Sequence, residues 1–289
     1  MEQAINGKTR LAGVIGNPIS HTLSPAMHNA AFKVLGLDAV YVPLGVPETG
    51  LKPLLETLLA LQALGANVTV PYKEKVMPLL HACSPNSEKI GAVNTLVFEG
   101  ERILGHNTDA VGFSMCLEAA KFSVAGKQAV LLGGGGAGRA VAFALLDAGV
   151  QTLAVAEIDR EKVARLALDF KAVGSGEIRA VMPSSEELRT ALRDADLIVQ
   201  ATPLGLKPQD PLPVAQAWLP AGRCVMDLVY GAGDTPFLAA ARAQGNQVIH
   251  GWQMLLNQGA ASFKLWTGQE PPLAAMKKEL LSAGGIREE

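Results

Sequence analysis

The run Gly133-Gly-Gly-Gly-Ala-Gly138 constrains the fold of this chain more than any other segment. It follows Ala129 to Leu132, an apolar run with the residue types of a buried strand, and it opens a helical pattern, Gly138 to Ala148, that Gly149 closes. Glycines at the GxGxxG positions permit a tight turn and close approach to the backbone, so helix N-terminal amides can face a pyrophosphate. Strand, Gly-rich turn and helix in that order predict a doubly wound sheet that binds a dinucleotide. Apolar runs at Thr152 to Ala156, Ile178 to Val181, Leu197 to Ala201, Val225 to Leu228 and Val248 to His250 supply its further strands.

One such domain does not exhaust 289 residues, since single cores tend to split beyond about 250. The first hundred residues carry their own α/β rhythm, with strands expected at Leu11 to Ile15, Val40 to Leu44 and Ala66 to Val70. Ser24 followed by Pro25 reads as a cap and first turn, which predicts a helix from Pro25 to Leu35, stopped at Gly36. A second helix is expected from Leu51 to Leu64, closed by Gly65. Two C-terminal helices, Gln253 to Trp266 and Leu273 to Leu281, cannot extend a sheet and are expected to return to the first domain. The expected architecture is α/β: an N-terminal α/β substrate domain (1–109) completed by C-terminal helices (252–289), with a Rossmann-type doubly wound dinucleotide-binding domain between them (110–251).

Charge and cysteine usage exclude several classes of partner. A formal charge of −2 without long like-charge runs argues against nucleic acid and against a polybasic membrane patch, which leaves a small molecule. Cys83, Cys116 and Cys224 are far apart and lack the spacing of a zinc site or a disulfide framework, so no metal is expected. Met1 to Arg10 has no hydrophobic signal core, and no apolar run approaches the roughly 18 residues of a membrane span; the cytoplasm is the expected compartment.

Asn67-Val-Thr-Val-Pro-Tyr-Lys73 and Gly105-His-Asn-Thr-Asp109 place a lysine and a carboxylate in otherwise apolar, strand-like surroundings. Each alone has an ordinary reading, as a solvated strand end or a turn. Together they suit a hydride-transfer enzyme, because oxidising a secondary alcohol requires a group that takes the hydroxyl proton and returns it in reverse. Lysine serves as an acid as it stands and as a base where burial favours its neutral form; Asp109 would relay the proton or position the hydroxyl. Thr22, Ser24, Thr69, Asn94, Asn107, Tyr230 and Gln258 are polar residues beside glycines, prolines or strand ends, each suited either to a hydroxylated ligand or to a cap or turn. Glu157, at the end of the strand after the turn, can accept hydrogen bonds from a ribose diol. A 2′-phosphate at about 4 Å would meet like charge at a cost on the order of 4 kcal/mol, so NAD is the expected cofactor and NADP a weaker one, with Arg160 close enough to soften the difference.

These motifs, with Gly16-Asn-Pro-Ile-Ser-His-Thr-Leu-Ser-Pro-Ala-Met-His-Asn29, Gly91-Ala-Val-Asn-Thr95, Ala201-Thr-Pro-Leu-Gly205 and Met254-Leu-Leu-Asn-Gln258, are similar to those of the shikimate dehydrogenase family, including its quinate/shikimate branch, along essentially the whole chain. The resemblance implies reversible oxidation of a ring hydroxyl on a cyclohexene or cyclohexane carboxylate. It matches Lys73 and Asp109 to the catalytic pair, and Thr22, Ser24, Thr69, Asn94, Tyr230 and Gln258 to substrate contacts. It matches Gly133, Gly135, Gly136, Ala137, Gly138, Glu157, Ile158, Thr202, Pro203, Val229, Gly251 and Met254 to cofactor contacts, with Gly251 and Met254 bordering the nicotinamide. Two positions depart from the biosynthetic pattern: Thr22 stands where serine is usual, and Glu157-Ile158-Asp159 replaces an Asn-Arg-Thr whose arginine grips a 2′-phosphate. Trp252 is bulky for its place and suits either the pocket or the core. A member acting on another ring acid, such as an aminated analogue, and a dinucleotide-binding regulator without turnover are the alternatives; intact Lys73 and Asp109 favour an enzyme. The expected assembly is a monomer or homodimer.

Overall fold

The computed structural model describes residues 5–207 and 209–287. Positions 1–4, 208, 288 and 289 lie outside the described residues; they include the start of the segment read for a signal core and both ends of the expected first domain. Two compact units emerge, Met1–Gly112 with Leu255–Glu289, and Phe113–Met254. The division falls inside two helices.

In chain order the elements are β1 (Arg10–Gly16), α1 (Ser24–Val34), β2 (Ala39–Gly45), α2 (Leu51–Ala60), β3 (Gly65–Val68), β4 (Ala82–Cys83), α3 (Pro85–Ile90), β5 (Thr95–Glu99), β6 (Arg102–His106) and α4 (Asp109–Ala119). There follow β7 (Gln128–Leu132), α5 (Gly136–Asp147), β8 (Thr152–Ala156), α6 (Arg160–Asp169), β9 (Glu177–Val181), α7 (Glu186–Asp194), β10 (Leu197–Gln200), β11 (Cys224–Asp227), α8 (Pro236–Ala243), β12 (Gln247–His250), α9 (Gly251–Thr267) and α10 (Leu273–Gly284).

The first unit holds a mixed sheet in the order β2-β1-β3-β5-β6-β4. β1 runs parallel to β2 and β3, whereas β5 pairs antiparallel with both β3 and β6. Leu51, Leu55 and Leu58 recur at helical spacing on α2 and pack on Ile15, Ala66, Val68 and Leu96 of the sheet, which gives the unit its core. Two expectations are corrected here. α2 stops at Ala60, not Leu64, and the chain turns through Gln62 at φ 51°. Gly65 then begins β3 rather than closing a helix, because a Cβ there would lie 2.1 Å from the Trp266 indole nitrogen. Ser24 is not the cap of α1: Leu23 holds that position, and its apolar side chain makes no cap hydrogen bond.

The second unit is a parallel sheet in the order β12-β11-β10-β7-β8-β9, the doubly wound arrangement expected from the Gly-rich turn. On one face, Leu188 and Leu192 of α7 and Phe237, Leu238 and Ala241 of α8 cover Val130, Ala154, Ile198 and Val225. Chain order reverses between β7 and β10, so the loops after these two strands meet at the switch point. Among the described residues no helix is long and apolar enough to cross a membrane.

Candidate active site

Strand direction in the first sheet gathers the polar candidates at one edge. The parallel strands β1 and β3 end there, β5 starts there, and β6, antiparallel to β5, ends there again. Thr22 and Ser24 therefore follow β1, Thr69 and Lys73 follow β3, Asn94 precedes β5, and Asp109 follows β6. Backbone bonds tie the segments together: Val93 N–H donates to Lys73 O at 2.8 Å, and Asn94 N–H donates to His106 O at 3.1 Å.

Lys73 Nζ lies 2.7 Å from Asp109 Oδ2, with side-chain exposures of 13% and 6%, so water only weakly screens the pair. Asn94 Nδ2 donates to the other carboxylate oxygen at 2.9 Å and to Gln258 Oε1 at 3.1 Å. Asp109 is also the first residue of α4, where helix amides favour an anion. Gln258 reaches this cluster because α9 presses on α4: a Cβ at Gly112 would lie 2.8 Å from Gln258 N. Ser24 is buried and donates its N–H to Thr22 Oγ1 at 3.3 Å, and Thr69 is half-buried. Asn107 is committed to structure, accepting from Ala110 N–H and donating to Ala92 O.

Tyr230 belongs to the second unit, where the candidates follow the C-terminal ends of the parallel strands β7, β8, β10, β11 and β12. Gly133 has φ +102°, and a Cβ on it would press on Ala201 and Thr202 at 3.0 Å. A Cβ on Gly138 would lie 2.2 Å from Gly133 O, whereas one on Gly135 would meet nothing within 4 Å. Gly135 occupies the cap position of α5 and, having no side chain, makes no cap hydrogen bond to that helix. This open, uncapped turn, which includes Gly136 and Ala137, fits a dinucleotide pyrophosphate. Arg139 is turned away from it, bonding Asp169 at 2.5 Å and stacking on Phe170.

After β11, Asp227 accepts from Val229 N–H at 2.9 Å and Thr235 O–H at 2.6 Å, which anchors the loop carrying Val229 and Tyr230. Burial pushes the Asp227 carboxyl up to about 6 against the pull of these two donors. His250 Nε2 lies 2.7 Å from Asp234 Oδ1, fastening the same loop to the end of β12. Gly251 follows, and a Cβ there would lie 2.5 Å from Leu228 O. Thr202 Oγ1 accepts from Leu204 N–H at 3.2 Å, so this hydroxyl shapes the Pro203 loop. Met254 and Trp252 are buried. Among the described residues no group of three or more His, Cys, Asp or Glu could hold a metal ion.

A mixed-sheet unit carrying a part-buried Lys–Asp pair, and a doubly wound unit with an open Gly-rich turn, define a nicotinamide-dinucleotide oxidoreductase class. Residues 14–96 match the shikimate dehydrogenase substrate binding domain, residues 117–205 shikimate/quinate 5-dehydrogenase, and residues 251–281 the shikimate 5′-dehydrogenase C-terminal domain. The chain belongs to the shikimate dehydrogenase family. It is 44% identical over 97% of its length, and 96% of the relative's, to shikimate dehydrogenase (NADP(+)) of Moorella thermoacetica. The crystal structure of the Thermus thermophilus shikimate 5-dehydrogenase with NADP(H) and shikimate is similar at a TM-score of 0.84 and 37% identity, covering 95% of this chain and 99% of that one. Quinate dehydrogenase of Corynebacterium glutamicum, solved with NAD, is similar at a TM-score of 0.86 and 35% identity, covering 95% and 99%.

These relatives correct the expected preference for NAD, because the curated relatives at 40–44% identity are named as NADP(+) enzymes. The structure shows where the argument from Glu157 failed. Its carboxylate is not free at the strand end: Oε2 accepts from Gly134 N–H at 3.0 Å and Oε1 from Ile158 N–H at 2.8 Å. A charge already compensated by backbone donors repels a phosphate less than the bare carboxylate assumed in the Coulomb figure.

Proposed function

We propose that this chain catalyses the reversible NAD(P)-dependent oxidation of a ring hydroxyl of shikimate, quinate or a close cyclohexene or cyclohexane carboxylate to the ketone. The observation that carries the reading is the Lys73–Asp109 pair at 2.7 Å, held by Asn94, itself bonded to Gln258, in a family named for this reaction. When bound, the dinucleotide accepts or returns the hydride. Lys73 Nζ gives a proton to the ring oxygen during reduction and takes it back during oxidation, while Asp109 Oδ2 fixes the ammonium. Thr22 and Ser24 offer hydroxyls to the ring carboxylate; Thr69, Asn94, Gln258 and Tyr230 contact the ring hydroxyls. Gly133, Gly135 and Gly138 hold the pyrophosphate turn, Glu157 and Ile158 border the adenosine ribose, and Thr202, Pro203, Val229, Gly251 and Met254 border the nicotinamide.

Initial rates with shikimate and quinate, each against NADP and NAD, test this directly. Turnover of a ring acid is expected, with NADP the first cofactor to assay because the relatives' names carry it. Dinucleotide binding without reduction by any ring acid would leave a regulator instead. Lys73→Ala should lower kcat by two or more orders of magnitude with little change in substrate affinity, since general acid–base groups typically contribute about 10²–10⁴-fold. Light scattering of the same sample reads the assembly, expected to be a monomer or homodimer.

A further inference from the structure

Behind Asn94 lies a run of buried polar side chains that the proton-transfer reading does not use. Tyr41 O–H donates to Asn67 Oδ1 at 2.8 Å, and Asn67 Nδ2 donates to Thr95 Oγ1 at 3.2 Å and to Ser262 Oγ at 2.9 Å. Thr95 O–H donates to Asn94 Oδ1 at 2.9 Å, and Asn94 Nδ2 donates to Asp109 Oδ1 at 2.9 Å. Tyr41, Thr95 and Ser262 are at most 1% exposed. From Tyr41 through Asn67, Thr95 and Asn94 the successive donors point toward Asp109, and aligned hydrogen bonds polarise one another in the same sense.

The donor inventory favours this direction. Asn67 can present only its nitrogen to Thr95, because its oxygen is held by Tyr41. Thr95 Oγ1 accepts a hydrogen bond from Asn67 and donates to Asn94 Oδ1, and it also lies beside Ser262 Oγ and Thr108 Oγ1, where either hydroxyl can donate. Thr108 N–H donates to that same oxygen at 2.8 Å, so the Asn94 amide is pinned with its nitrogen toward Asp109 and Gln258. Reversed, the amide would oppose its oxygen to a carboxylate and to a second amide oxygen. Ser262 and Thr108 close the cluster, with Ser262 Oγ 2.8 Å from Thr95 Oγ1 and 3.1 Å from Thr108 Oγ1.

We propose that Thr95, fed by Tyr41 through Asn67 and braced by Ser262, is a positioning residue of the reaction that holds the Asn94 amide in register and so keeps Asp109 aimed at Lys73. This rests on the reading of Lys73 and Asp109 as the proton-transfer pair. The charged group facing Asp109 is Lys73, from the turn after β3; Asn94, Thr108 and Gln258, from the other segments around it, are neutral. His106, at the end of β6, is biased toward its neutral form by burial.

The test is the pH profile of kcat/KM for shikimate oxidation in Thr95→Val, Thr95→Ser, Tyr41→Phe and Lys73→Ala, with folding checked by circular dichroism. Thr95→Val removes the donor at nearly constant volume. Its acidic limb should rise by up to about one pH unit as the loosened Asn94 amide weakens its bond to the carboxylate, and kcat should fall about tenfold with KM changed less than threefold. Thr95→Ser, which keeps the donor, should return the limb to its wild-type position. Tyr41→Phe should move the limb the same way by a smaller amount, and it decides the matter if Thr95→Val does not fold. A folded Thr95→Val, or failing that Tyr41→Phe, with the wild-type limb overturns the positioning role and leaves the proton pair standing. Near-normal turnover in Lys73→Ala overturns the pair itself, and with it this role.

Discussion

His28 offers the sharpest test of how the first unit is packed. Its ring is fully buried, stacks on Tyr41 at a centroid distance of 4.4 Å and tilts against Trp266 at 5.2 Å. Neither ring nitrogen has a hydrogen-bond partner among the described residues, so protonation would place a cation in an apolar, unpaired site. Burial accordingly pushes its pKa from 6.5 down to about 3. The folded state stays neutral while the unfolded chain takes up a proton below 6.5, so this contribution is complete above pH 6.5 and is lost as pH falls toward 3. At about 1.4 kcal/mol per unit, the loss by pH 4 is about 3 kcal/mol. His28→Phe removes the titration and keeps an aromatic ring for the stack, at an offset from its extra volume that does not depend on pH. Urea unfolding of both proteins at pH 7.5 and pH 4 gives the comparison. The difference between them should shift in favour of the variant by about 3 kcal/mol over that interval. Parallel pH dependences would refute a neutral, unpaired His28.

Asp227→Asn tests the opposite sign. A buried carboxylate raised to about 6 costs the folded state above that pH and not below about 4, so the variant should gain up to about 3 kcal/mol at pH 8 and nothing at pH 4 in the same urea experiment. Equal effects at both pH values would mean that Asp227 is not desolvated. Gly138→Ala would drive a methyl to 2.2 Å from Gly133 O, and calorimetry should find NADP affinity reduced at least tenfold while shikimate binding persists. Gly65→Ala, meeting the Trp266 indole at 2.1 Å, should lower stability by about 1–3 kcal/mol, read as a fall in the urea midpoint.

How far the sequence was legible follows from what a local pattern can report. The inner strands of the second unit were legible because parallel strands buried on both faces read as uninterrupted apolar runs; β8 was placed to the residue. The hairpin of β5 and β6 was not, although it aligns Asn94 with Asp109. Its signal is a Gly100 turn between runs that carry Glu99 and Arg102, and antiparallel pairing at a sheet interior has no period of its own. Lys73, Asp109, Asn94 and Gln258, which the structure brings together, could be picked out as candidates because polar groups beside turns break an apolar context. Ser262 could not, since a serine inside a helix is ordinarily a neutral choice; only its position four residues beyond Gln258, on the same helical face, marked it. Glu157 misled for a related reason. Sequence locates a carboxylate at a strand end but not the backbone amides that claim it, and two of those amides, at Gly134 and Ile158, already bond the charge on which the NAD argument depended.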